Sequence, residues 1–216
     1  MMVNKKAGSA PVVSLARRSM LLGGLMLLVA SPARAGAQRE EPLMDSIRSA
    51  LSASIAQAAP PRPKFEQDDA RMAYLTWLGT MSERLKKRKT EAQIRIEFLE
   101  TVWYEAKRAG LEPSLVLGLI QVESGFRKYA ISTAGARGYM QVMPFWAKVI
   151  GDGDAGRLFH MQTNLRFGCV ILRHYLDIEK GDLYLALGRY NGSRGRPEYP
   201  NAVFASRRLW LLPGEK

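Results

Sequence analysis

The residue in this sequence best placed to do chemistry is Glu123, which closes the run Leu115-Val116-Leu117-Gly118-Leu119-Ile120-Gln121-Val122-Glu123-Ser124-Gly125. Pro113 suits a first helical turn, where its missing N–H would have no partner anyway, and Gly125 is a natural stop. A helix apolar on nearly every side belongs inside a domain, and Glu123 shares a face with Leu119 and Ile120. Burial disfavours the charged form of a carboxyl, by up to roughly 3–5 pKa units when complete. The negative end of the helix dipole pushes the same way by only about 0.3–1 kcal/mol. The expected result is a carboxyl still protonated near neutral pH, which is what a general acid needs. The same run would also house a structural Glu held by a core Arg or by backbone donors.

Other reactive residue types are sparse. Cys169 falls on the helical stripe Leu165, Cys169, Leu172, Leu176 and reads as a small buried hydrophobe. A single cysteine excludes an intramolecular disulfide framework, and His160 and His174 form no metal-ligand spacing. No metal and no organic cofactor are expected. Lys86-Lys87-Arg88-Lys89 is the one dense basic cluster, and no aromatic pattern accompanies it, so nucleic acid is not an expected partner.

The elements that must position Glu123 can be read in outline. At 216 residues and 47% hydrophobic content the chain can bury one substantial core. Residues 1–37 read as a signal peptide: Lys5, Lys6, Arg17 and Arg18 precede the apolar run Met20 to Ala30, with small residues at Ala33-Arg34-Ala35 or Ala35-Gly36-Ala37 for cleavage. The run is about half the ~20 residues of a spanning helix, so no transmembrane helix is expected after cleavage. Arg17-Arg18 only faintly matches a twin-arginine signal, and a Sec-type route is expected. Cleavage removes five cations (Lys5, Lys6, Arg17, Arg18, Arg34) and takes the net charge from +12 to about +7, an excess that suits an acidic envelope polymer or membrane surface.

Residues 38–67 combine an amphipathic segment (Leu43, Ile47, Leu51, Ile55) with the Pro-rich linker Ala59-Pro60-Pro61-Arg62-Pro63. Residues 68–97 form a helical extension, in which a helix over Ala70 to Leu78 is expected to close near Gly79. Thr90 and Gln93 read as a capping box opening a long helix that stops at Gly110. After the central helix, Ser132-Thr133-Ala134-Gly135-Ala136-Arg137-Gly138 predicts a loop that brings backbone close to a neighbour. Short helices are expected over Phe145 to Ile150, Leu183 to Tyr190 (capped by Asp182) and Tyr199 to Arg208, leaving a tail at 209–216. The predicted fold class is mostly α, with at most a very small β-hairpin around Gly135 to Gly138.

Four blocks in order carry a family resemblance: Glu123-Ser124, then Ser132-x-x-Gly135-Ala136-x-Gly138-Tyr139-Met140-Gln141-Val142-Met143-Pro144, then Asn164-x-x-x-Gly168, then Tyr190-Asn191-Gly192. Residues 98–208 resemble the catalytic domain of the soluble lytic transglycosylase (SLT) family. The resemblance implies a lysozyme-like helical fold and an exported, periplasmic enzyme of a Gram-negative bacterium. That enzyme would cleave the MurNAc–GlcNAc bond of peptidoglycan and leave 1,6-anhydro-MurNAc ends. It implies Glu123 as acid and base, Ser132, Gln141 and Met143 along the glycan groove, and Tyr190 beside the acid, with Asn191 bracing its turn. Tyr139 stands where the family usually has Leu, and offers a face for a sugar or fills a gap. Arg189 stands where it usually has Ala, and would lower the pKa of Glu123 and weaken its acid role if it pointed there. A goose-type hydrolytic lysozyme, with Asp152, Asp154, Asp182 or Glu198 positioning water, is the alternative enzyme. A non-catalytic glycan-binding scaffold is the alternative from another class. Recruitment to a secretion, pilus or flagellar assembly is compatible with so small a chain.

Overall fold

The computed structural model describes residues 45–56 and 63–215, together with Met1, Gln38 and Leu43. The expected signal peptide and the Ala59–Arg62 part of the linker lie outside the described residues. Those residues form eight α-helices: α1 (Asp45–Ala56), α2 (Asp68–Leu85), α3 (Ala92–Arg108), α4 (Pro113–Ser124), α5 (Pro144–Ile150), α6 (Met161–Ile178), α7 (Leu183–Asn191) and α8 (Glu198–Arg208). A 3-10 turn over Ala155–Phe159, not foreseen in the sequence, is capped by Asp154, whose carboxylate accepts from the Gly156 N–H at 2.7 Å. The mostly α class is the observed one. The small hairpin reduces to two isolated antiparallel bridges, Ile131 with Arg137 and Arg137 with Val142.

Two boundaries differ from expectation. Helix α2 runs straight through Gly79, because its buried face (Tyr74, Trp77, Leu78, Met81, Leu85) continues on both sides of the glycine. Burying Met81 and Leu85 completely outweighs the ~1 kcal/mol that a mid-helix glycine costs. The Thr90–Gln93 capping box does not form: α3 begins at Ala92 behind Glu91, without a side-chain cap. Arg95, only 6% exposed, takes over the turn instead. Its guanidinium donates to the Lys89 and Thr90 carbonyls at 2.7 and 3.0 Å and to Ser82 Oγ at 2.9 Å.

Helix α4 is the axle of the fold. Leu115 to Ile120 are buried, with α3 and α8 packed against the helix, in one core with Phe98, Leu99 and Val102 of α3, Leu165, Ile171 and Leu172 of α6 and Val203 of α8. Its crossing with α8 is close: a Cβ on Gly118 would stand 2.7 Å from the Arg207 backbone nitrogen, so only glycine admits that helix there. After α8 the chain folds back rather than leaving: Trp210 is 3% exposed, packs on the Phe126 ring at 5.2 Å and donates to Gln121 Oε1 at 3.1 Å. No described helix is long and apolar enough to cross a membrane.

Candidate active site

Glu123 sits in the last turn of α4, 6% exposed. Gly125 ends the helix in the left-handed conformation, φ 57°, and so fixes where the side chain points. The close α4–α8 crossing at Gly118 brings the first turn of α8 over this end, and Tyr199, buried there, donates its O–H to Glu123 Oε1. Glu123 Oε2 is buried with no hydrogen-bond partner among the described residues. Burial pushes the Glu123 carboxyl up to about 8, with the Tyr199 hydrogen bond pulling it partly back. The Tyr199 phenol is itself held well above its ordinary range, by burial and then by the Glu123 charge, so it stays a donor. With Oε1 accepting from Tyr199, Oε2 is the oxygen left without a partner among the described residues. Tyr199 escaped the sequence reading because its role depends on the Gly118 crossing, a contact across 76 residues.

The last three of the four sequence blocks meet as one interlocked frame. Asn164, fully buried, accepts from the Met140 N–H and donates to the Arg137 and Leu158 carbonyls, all at 2.8 Å. A Cβ on Gly138 would strike that Asn164 amide at 2.4 Å, and one on Gly168 would strike Met140 Sδ at 2.3 Å. Tyr190, also fully buried, donates to the Met140 carbonyl at 2.7 Å. Burial raises its pKa far above the ordinary tyrosine value, and the Glu123 charge adds to the rise, so the two side chains share one electrostatic neighbourhood. The Tyr190 hydroxyl thus anchors the loop, and the hydroxyl on the acid is that of Tyr199.

The remaining predicted positions take varied places. Gln141, at φ 49° and 2% exposed, turns its amide inward and donates to the Ala130 and Gly138 carbonyls at 3.1 and 2.9 Å. Ser132 Oγ accepts from the Ala136 N–H at 3.0 Å within the same loop. Met143 is half-buried at the start of α5, and its N–H donates to Gln38 Oε1 at 3.3 Å. Tyr139 is 2% exposed and fills the gap beside Phe98, ring centroids 4.9 Å apart. Its hydroxyl accepts from Lys89 Nζ at 2.7 Å, and burial lowers Lys89 to about 8 and raises Tyr139 to about 12. Asn191 donates to Ser193 Oγ at 3.0 Å, bracing the turn after α7. Arg189 pairs with Glu179; Arg194 first and then Arg189 hold that carboxylate down to about 2. Asp152 pairs with Arg157, and Asp154 and Asp182 cap helices. Among the described residues no group of three or more His, Cys, Asp and Glu is placed to hold a metal ion.

Residues 100–203 match the family model described as Transglycosylase SLT domain. This chain carries an SLT domain. Its similarity to membrane-bound lytic murein transglycosylase C of Actinobacillus pleuropneumoniae serotype 5b is 37% identity over 99 residues, covering 43% of this chain and 24% of that protein. The transglycosylase of Enterobacteria phage PRD1 is 33% identical over 104 residues, 48% of this chain and 38% of its own. Membrane-bound lytic murein transglycosylase C of Haemophilus influenzae strain PittEE is 47% identical over 93 residues, 38% of this chain and 26% of its own. The chain thus spans about a quarter to two fifths of the length of these curated relatives. Among solved structures, an inactive mutant of the lytic transglycosylase Slt from Pseudomonas aeruginosa aligns over 65% of this chain and 27% of its own, at 23% identity and a TM-score of 0.42.

Proposed function

We propose that this chain is a peptidoglycan lytic transglycosylase in which Glu123 serves as both acid and base. The observation that carries the reading is the state of that carboxyl: buried, raised to about 8, braced on Oε1 by Tyr199, with Oε2 free of partners among the described residues. A group so poised is protonated at neutral pH, the state a general acid needs.

In this reading the Glu123 Oε2 proton passes to the glycosidic oxygen between MurNAc and GlcNAc as the bond from C1 to that oxygen breaks. The carbonyl oxygen of the muramyl 2-acetamido group closes on C1 and holds the developing positive charge, the role a second carboxylate has in ordinary glycosidases. The Glu123 carboxylate then takes the proton from the same sugar's 6-hydroxyl. That oxygen attacks C1, displaces the acetamido oxygen and leaves a 1,6-anhydro end, with no water consumed. The attacking group is part of the substrate, which is where large effective molarities arise. Tyr199 steadies the acid through both steps, since its hydrogen bond strengthens when Oε1 gains charge. Three of the carboxylates that a hydrolytic lysozyme would need in reserve, Asp152, Asp154 and Asp182, are engaged in an ion pair or in helix caps. That supports a single-acid site. Export to the periplasm follows from the same reading and from the signal-like first 37 residues.

Digestion of purified peptidoglycan, with mass analysis of the released muropeptides, tests the proposal. Anhydro ends are expected. Reducing ends, heavier by one water, would replace it with hydrolysis, and no release at all would leave only a binding role.

A further inference from the structure

Gln38 lies immediately after Ala35-Gly36-Ala37 and 105 residues before Met143, yet its side chain reaches the Met143 N–H. Its side chain is 5% exposed. Its Oε1 accepts the Met143 N–H at 3.3 Å, and its amide faces the Tyr190 hydroxyl, whose acidity it increases. Its Nε2 is buried without a well-formed hydrogen bond among the described residues. A glutamine in such a place is costly, because its buried amide donor has given up water without gaining a good acceptor. A carboxamide seated beside Met143 and Tyr190, with its acceptor satisfied and its donor not, is an imperfect copy of a better ligand.

The chain also holds this residue in reach. Leu43, Ile47 and Ile55 pack against the core, Leu51 is buried in it, and helix α1 contacts α5, the helix that begins directly after Met143. With α1 docked and only four residues between Gln38 and Leu43, the carboxamide faces its site at a high effective concentration.

We propose that Gln38 is an intramolecular occupant of the glycan cleft. Its carboxamide takes the place of a sugar 2-acetamido group beside Met143 and Tyr190, and a bound glycan strand must displace it. A carboxamide and an acetamido group share the same C=O and N–H pattern, so one backbone donor at Met143 serves either. This inference rests on the proposed reading of the site as a glycan cleft.

The test uses the full-length chain carrying Glu123→Gln, so that binding is measured without turnover, with a neutral GlcNAc oligomer as probe. Gln38→Ala is expected to tighten calorimetric affinity by about fivefold, the worth of one displaced hydrogen bond. In the active chain the same substitution is expected to lower KM by a similar factor with kcat unchanged. A second measurement needs no substitution at residue 38: saturating oligomer is expected to speed tryptic cleavage after Arg39 relative to the free chain. Unchanged or weaker binding by Gln38→Ala, or cleavage after Arg39 indifferent to the oligomer, would overturn the inference while leaving the glycan reading intact. If neither chain binds the oligomer and the active chain releases no muropeptides, the glycan reading falls and takes this one with it.

Discussion

Replacing Glu123 by Gln isolates the energetic cost of burying an acid. The carboxyl titrates at about 8 in the folded chain against an ordinary 4.5. Between those values the unfolded chain has released the proton and the folded chain still holds it. The folded state therefore binds more protons, and stability falls as pH rises through this window. Each unit costs about 1.4 kcal/mol, so the loss reaches roughly 3 kcal/mol at pH 7 and levels off near 5 kcal/mol above pH 8, both upper bounds since buried sites relax when they ionise. Glutamine does not ionise and escapes this term. It does place an N–H group where Oε2 has no partner among the described residues, a penalty of about 1–3 kcal/mol that does not vary with pH. The expected pattern is therefore a crossing. In urea titrations Glu123→Gln is level with or below the parent near pH 4.5, and its relative stability climbs steadily towards pH 8. Muropeptide release by the variant is expected to be abolished at every pH. Two parallel stability curves would show that Glu123 is not held protonated, and the acid role argued from its burial would fail.

Further outcomes follow from the same geometry. Tyr199→Phe removes the one hydrogen bond that pulls the acid back down. The alkaline limit of activity should therefore move to higher pH while kcat falls about tenfold, as expected for a lost charge-stabilising donor, both read from a pH–rate profile. Asn164→Ala strands the Met140 N–H and two carbonyls in the core; a loss of at least ~3 kcal/mol is expected in chemical denaturation. Gly118→Ala drives a Cβ into the α8 backbone. About 1–3 kcal/mol of stability should go, and activity with it, because α8 carries Tyr199. Arg189→Gln breaks a pair with Glu179, which Arg194 also holds, so the pH–rate profile is expected to keep the parent's alkaline limit.

The sequence reveals those features that depend on neighbours along the chain. Pro113 and Gly125 mark the ends of α4, Asp182 caps α7, and the apolar stripe of α6 announces a buried face; the helices stand accordingly. Local signals mislead where tertiary contacts outbid them. Gly79 reads as a stop, yet the buried face of α2 carries the helix past it, and the Thr90–Gln93 capping pattern yields to a buried arginine. At the site, the buried acid is legible from its apolar surroundings. Its hydroxyl partner is not, because nothing adjacent to Tyr199 signals that Gly118, far back in the chain, lets α8 come close. Gln38 is hidden for the same reason: residue type and spacing give no hint that an amide just beyond the Ala-Gly-Ala motif meets Met143.

The interlocking of the last three blocks also has a physical motive. A carboxyl held in an environment that resists its ionisation destabilises the fold at working pH, and a yielding scaffold would relax around it and let water in. Here Met140 is pinned three ways: by the Asn164 carbonyl on its N–H, by the Tyr190 hydroxyl on its carbonyl, and by Gly168 beneath its side chain. Any relaxation of the loop would have to break buried hydrogen bonds at about 1–3 kcal/mol each, a sum comparable with what ionised Glu123 could gain. Loosening that frame at a distance from the acid, as Gly168→Ala would do by pressing on Met140, is therefore expected to bring the folded-state titration of Glu123 down from about 8 towards the ordinary carboxyl range. The stability-versus-pH comparison with Glu123→Gln measures that shift directly. If Gly168→Ala lowers overall stability but leaves the pH dependence as steep as the parent's, the dry environment of Glu123 owes nothing to the Met140 frame.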